Sequence, residues 1–184
     1  MAKFLSGEWI AAEWITSIAT IALVLVTAIA FYFQSRQNRF ALGIDLLLKM
    51  DDRFNAMRTS RQKAATYLKE KQGTGTDVSI DDLEHHLDEV LDFFDQLGYF
   101  LKGRALERRA VWSAFYDQVH HWYCNAKDYM TPQRQIDATI WENFEYLNTQ
   151  LVIEQMRHKR NNLDTSIELS KEDLVNFLNN ESGS

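Results

Sequence analysis

The sequence predicts an all-α protein, with a single N-terminal transmembrane helix continuing into a cytoplasmic bundle of about four to five helices. Three observations carry that prediction. No stretch alternates apolar and polar residues with the period of two that a half-buried strand needs. One proline, Pro132, and seven glycines leave long uninterrupted segments in which apolar residues recur every three or four positions. Residues 14–33, WITSIATIALVLVTAIAFYF, hold no charged side chain at all.

That apolar run is the first element. A membrane-spanning helix needs about 20 apolar residues, since each adds ~1.5 Å against a hydrocarbon core ~30 Å thick. Trp9 and Trp14 at one end and Tyr32 at the other suit the headgroup region. Ala28-Ile29-Ala30 resembles a leader-peptidase site. The run is longer than a leader core, however, and the segment before it carries Glu8 and Glu13 against Lys3, so a retained span is expected. Arg36 and Arg39 follow directly. Basic flanks stay on the cytoplasmic side, which predicts an inner-membrane protein with its N-terminus outside. The division expected is an extracytoplasmic segment 1–13, a span 14–34, a cytoplasmic helical domain 35–178 and a disordered tail 179–184.

The first helix continues beyond the span through Phe40, Ile44, Leu47, Leu48, Phe54 and Met57, and on to Leu68 with a bend near Thr59-Ser60. The turn-forming KQGTGTD (71–77) ends it. A second helix starts near Ser79, capped with Asp82, and buries Ile80, Leu83, Leu87, Val90, Leu91, Phe94, Leu97 and Leu101 up to Gly103. A third carries Val111, Trp112, Phe115, Val119, Trp122 and Ala126. Thr131-Pro132 is expected to restart the chain as a cap and first turn. The fourth helix then carries Ile136, Ile140, Phe144, Leu147 and Leu151. Residues 161–167 read as a loop, and a short last helix holds Leu174, Phe177 and Leu178.

Charge divides the chain. The formal net charge is -6, yet Ser35–Lys71 holds nine Lys/Arg against four Asp/Glu, while the rest of the chain from Gln72 holds ten against twenty. The basic part beside the span suits anionic lipid, at ~1 kcal/mol per well-placed cation. The acidic remainder argues against general nucleic-acid binding. A lone Cys124 excludes an internal disulfide framework and fits a reducing compartment.

Several residue groups could carry chemistry. In DDLEHHLDEVLDFFD (81–95), His85, Glu89 and Asp92 are spaced by four and three, so one helix face offers metal-ligating groups; a solvated acidic face is the plainer reading. His120 and Cys124 stand one turn apart, a poor alignment for a nucleophile and its base. No Arg precedes a His by four to six residues, the pattern of helical ribonucleases. No catalytic constellation, cofactor or bound metal is therefore expected. Lys102, Arg104, Arg108 and Arg109 cluster around Gly103, and Arg157, His158, Lys159 and Arg160 form a second group. Either group could grip the phosphates of a nucleotide or oligonucleotide activator or meet a partner protein, though cations at helix C-termini also complement the dipole.

The span itself carries a pattern. Glu13, Thr16, Thr20, Leu23, Thr27, Ala30 and Gln34 repeat at three, four, three, four, three and four. All but Leu23 are small or polar, while Ile18, Ile21, Leu25, Ile29 and Phe33 fall elsewhere. Small and hydroxyl residues let membrane helices approach closely. A ring of such helices could also enclose water, with Leu23 as an apolar constriction and Glu13 as an acidic outer ring. Threonine can equally bond its own preceding carbonyl. An anchor, a packing seam and a pore lining are all compatible with the stripe.

Residues 90–123, VLDFFDQLGYFLKGRALERRAVWSAFYDQVHHWY, carry a resemblance. Leu-Asp-Phe-Phe ahead of Leu97-Gly98, then Gly103, Leu106, Val111-Trp112, Phe115 and Trp122, resembles a broad bacterial family of unknown function. The resemblance implies one N-terminal membrane helix and a small helical cytoplasmic domain, with no catalytic residues to transfer. In architecture the chain is also similar to membrane effectors of antiviral defence, namely the membrane accessory protein of RNA-targeting CRISPR systems and the channel partner of nucleotidyltransferase defence pairs. That similarity implies homo-oligomeric pores. The expectation drawn is an oligomeric inner-membrane protein forming a regulated pore as an effector. The alternative is a membrane-anchored helical binding module without a pore.

Overall fold

A computed structural model describes residues 5–73, 81–159 and 169–183. Among these residues it contains six helices and no strand: α1 (Leu5–Ala56), α2 (Arg58–Gly73), α3 (Asp81–Lys102), α4 (Arg108–Ile136), α5 (Glu142–Lys159) and α6 (Lys171–Ser182). The chain divides into two units, Met1–Leu42 and Gly43–Ser184. The first unit consists, where described, of α1 alone, and its side chains from Ser17 to Gln34 are all exposed. The region Ser17–Ala56 is long and apolar enough to cross a membrane, with a mean hydropathy of 2.0 in its most apolar window.

The second unit is the helical bundle. Its α3 packs against α2 on one side and α5 on the other, α4 packs on α5, and α6 lies on α2 and α4. Five phenylalanines tie four helices together. Phe54 of α1 lies 5.2 Å from Phe93, 5.6 Å from Phe94 and 5.9 Å from Phe115, and Phe94 stacks on Phe144 at 5.1 Å. Such ring pairs add about 0.5–1.5 kcal/mol each beyond the area they bury. The guanidinium of Arg61 caps the cluster, 4.1 Å from the Phe54 ring centre. The apolar face expected on α3 is buried at Leu87, Val90, Leu91, Phe94, Leu97 and Leu101, as are Val111, Phe115, Val119, Trp122 and Ala126 on α4. Ser79 and Ile80 lie outside the described residues, as does the 161–167 segment.

Several expectations are corrected. The bend in the first long segment falls at Met57, not Thr59-Ser60, and the backbone bonds Met57 N to Arg53 O and Arg61 N to Met57 O carry the chain through it. Pro132 does not start a helix; α4 runs through it to Ile136. Pro132 and Asp128, whose carbonyl loses its helical donor, are both exposed, so water can take that donor's place. Thr131 makes no cap; its hydroxyl donates back to the Lys127 carbonyl at 2.7 Å. Ile136 consequently ends α4, 89% exposed, instead of opening the face of the next helix. Residues Asn179–Ser182 are no disordered tail, because they form the last turn of α6. There Glu181 accepts from Arg61 at 3.0 Å, and Ser170 and Asp173 form a capping box at the other end.

Along α1 inside the bundle unit, the covered face is Met50 and Phe54, with Leu47 partly buried, and Met57 just beyond the helix is buried too. Ile44 and Leu48, expected on that face, remain exposed.

Candidate functional site

The stripe of α1 is on the surface wherever its side chains are described. Thr20, Leu23, Thr27, Ala30 and Gln34 are exposed. Glu13 and Thr16 lie in the same helix, with side chains outside the described residues. The Thr27 hydroxyl donates to the Leu23 carbonyl at 2.8 Å, so this threonine satisfies itself within the helix. Arg36 and Arg39 follow on the same helix, both exposed.

The acidic face of α3 has a structural use. His85 is exposed, Glu89 approaches His86 at 3.8 Å, and Asp92 accepts the indole N–H of Trp141 at 2.8 Å. Among the described residues no three His, Cys, Asp or Glu side chains are grouped to hold a metal ion. Instead, Asp92, Asp95 and Gly98, one turn apart in succession, receive the start of α5. Asp95 accepts from the backbone N–H of Asn143 at 2.9 Å and of Phe144 at 3.0 Å, and from the Asn143 side chain at 3.0 Å. It thereby caps α5 from a neighbouring helix, satisfying donors that the helix cannot. Gly98 lets the backbones touch, since a Cβ there would stand 2.0 Å from the Asn143 carbonyl oxygen. Trp141, just before α5, takes a left-handed φ of 49°, rare for a bulky residue, and the Asp92 bond holds its indole in the core.

One turn back, Glu84 and Asp88 both lie against the Tyr129 hydroxyl of α4, at 2.9 and 2.8 Å. A phenol has one proton, so it donates to one carboxylate at a time. Burial raises the Asp88 carboxyl above its usual range, the charges of Glu84 and Asp92 raise it further, and the Tyr129 bond opposes them. Tyr129 is itself pushed far up, by burial first and then by the two carboxylates.

The basic clusters are partly engaged in ion pairs. Lys102 donates to Glu142 at 2.9 Å, and Arg108 reaches Gln150 at 3.0 Å and Glu154 at 2.9 Å. Arg104 and Arg109 are exposed, Arg104 in a left-handed conformation with φ 58° that closes the α3–α4 turn. In the second group Arg157 also bonds Glu154, while His158 stacks on Trp112 with ring centres 4.1 Å apart. Arg160 lies outside the described residues. Glu154, nearly buried, is thus the anion that gathers Arg108 and Arg157. Sequence reasoning missed it, because nothing in the spacing marks one glutamate of α5 as the one turned inward. His120 meets the side-chain amide oxygen of Asn148 at 3.0 Å through the same Nδ1 that faces the Cys124 thiol at 4.0 Å.

A cleft of about 400 Å³ opens between α2, α4 and α6, lined among others by Lys71, Gln72, Asn125, Asp128, Tyr129 and Lys171. Lys71 is held there over the rings of Tyr67 and Tyr129, 5.4 and 5.1 Å from their centres.

The sequence pattern of DUF4760, a domain of unknown function, matches residues 14–151, from the first residue of the apolar run to the inner face of α5. The chain belongs to the DUF4760 family. The match covers residues of both units. No curated protein and no solved structure matches the chain.

Proposed function

We propose that this DUF4760 chain is a single-pass inner-membrane protein, N-terminus outside, whose α1 helices self-associate through the Glu13–Gln34 stripe around a regulated pore. The bundle on the cytoplasmic side assembles and gates it. The observation that supports this reading is the stripe itself: small and polar residues at alternating three and four spacing on a helix whose described side chains are exposed from Ser17 to Gln34. The reading assigns no enzymatic step. The effector role in antiviral defence is the corresponding biological setting, with a nucleotide, an oligonucleotide or a partner protein as the activating signal.

The second reading is a membrane-anchored binding module, in which α1 only tethers the bundle. The Thr27–Leu23 bond favours it, because a threonine satisfied within its own helix needs no neighbour. Two measurements separate the readings. Size determination in detergent is expected to give a homo-oligomer, and a strict monomer sinks the pore. In liposomes Thr20→Leu with Thr27→Leu is expected to cut ion flux about tenfold, ~1.4 kcal/mol on the permeation barrier. Unchanged flux would leave these residues packing or anchoring only.

A further inference from the structure

The three-four spacing of the stripe does not end at Gln34. Counting onward gives Gln37, Ala41, Ile44 and Leu48, all within α1. Ile44 and Leu48 belong to the bundle unit, which nevertheless leaves them 36% and 60% exposed. The same helix buries Met50 and Phe54 at under 10% exposure. In the bundle unit α1 therefore has two apolar faces, one covered by the bundle and one open to solvent, and the open one is in register with the stripe.

We propose that Ile44 and Leu48 form a self-association surface outside the bilayer, and that its partner is the same surface of a second copy of this chain. The proposal rests on the self-association read above and extends it from the span to the cytoplasmic part of α1. Copies inserted with one orientation lie parallel, and in a parallel coil equal-numbered seam residues face each other. Ile44 would meet Ile44 and Leu48 would meet Leu48, both well suited to a helical seam. A lipid surface is the other conceivable cover, and the charges disfavour it. Asp45, Asp51 and Asp52 are exposed in the same turns against Lys49, paired with Asp45 at 2.7 Å, and Arg53, which donates to the Gln96 side chain, so the set is acidic on balance. Anionic headgroups would repel that set. The seam also has a natural end. Its next position is Asp51, where identical carboxylates would be brought together.

The test uses the full chain in liposomes with Cys124, the single cysteine, changed to serine. New cysteines are placed one at a time at Thr20 and Leu48 on the seam and at Asp45 off it, and oxidised. Seam positions of a parallel coil fall within the Cα separation a disulfide needs, roughly 4.4–6.8 Å, and off-seam positions do not. The expected result is a covalent dimer from Leu48→Cys at several times the yield from Asp45→Cys. Leu48→Glu in the unmodified chain should also shift the detergent complex to smaller size with its helix content intact, since that side chain is outside the core. Crosslinking at Thr20→Cys without any at Leu48→Cys overturns the extension and leaves self-association in the bilayer standing. No crosslinking at either, with a monomer in detergent, removes both. Equal yields from Leu48→Cys and Asp45→Cys indicate random collision and overturn the extension as well.

Discussion

The two units use their polar residues in opposite ways. In the bundle, several residues that stand out in the sequence, among them carboxylates of α3 and cations after it, bond to neighbouring helices. Asp92 holds Trp141, Asp95 caps α5, Lys102 pairs with Glu142 and Arg108 with Glu154. In the first unit the polar residues are few and uncharged across the span, and Thr27 and Gln34 sit on the outside. The difference teaches where to look. A conspicuous cluster in a small helical domain can be a folding device, since helix ends need caps and crossing helices need clamps. A quiet threonine on an apolar helix has no such duty in the fold and is the better place to seek function.

If the DFFDQLG segment is a folding device, its glycine should be the most sensitive position. A Cβ at Gly98 would enter the Asn143 backbone, which cannot move without pulling α5 from its Asp95 cap. Gly98→Ala should destabilise the bundle by about 3 kcal/mol, the upper end of overpacking costs. A urea titration followed by tryptophan fluorescence reads this, and an unchanged midpoint would break the comparison. Asp95→Ala comes next, at about 1–2 kcal/mol, because it leaves the Asn143 and Phe144 amides without their acceptor. A loss as large as that for Gly98 would mean that the cap, and not the close approach, carries the junction.

The sequence makes some of this legible and hides the rest for physical reasons. The buried face of α3 follows from its three-four spacing, since an apolar stripe that long must be covered. Periodicity says that α1 has an apolar side near Ile44–Phe54; it does not say which of two adjacent stripes the bundle covers, so Ile44 and Leu48 looked like core. Pro132 looked like a helix start because proline favours that position, and only exposure of the Asp128 carbonyl shows why α4 can continue. The spacing of Asp92 offers only a solvated acidic face or a metal ligand, because its partner, Trp141, lies forty-nine residues away and no local pattern connects them. Glu181 looked like tail because its partner, Arg61, is more distant still.

The smallest effect tests whether the α3 carboxylates are fully absorbed by the fold. Asp88 is raised chiefly by burial, with Glu84 and Asp92 adding to it and Tyr129 and His85 opposing. Across the phenol, Lys71 stands over the Tyr129 ring. A carboxyl raised on folding binds its proton more tightly in the native state than in the unfolded chain. Stability therefore falls as pH rises from the ordinary carboxylate range through the raised value, and returns on acidification through the same window. Asp137 and Asp173 run the other way, held low by bonds from Thr139 and Ser170, and their contribution is lost only below the ordinary range. The two effects therefore occupy different windows. Asp88→Asn keeps an acceptor for the Tyr129 hydroxyl and removes the titration at this position, so the decline of the urea midpoint just above ordinary carboxylate titration should be smaller than in wild type. The remainder comes from Glu181, which burial also raises against Arg61 and Arg58. Parallel profiles for the two proteins would mean that the Asp88 proton is not held by the fold, and that this part of α3 is freer to interact with something else.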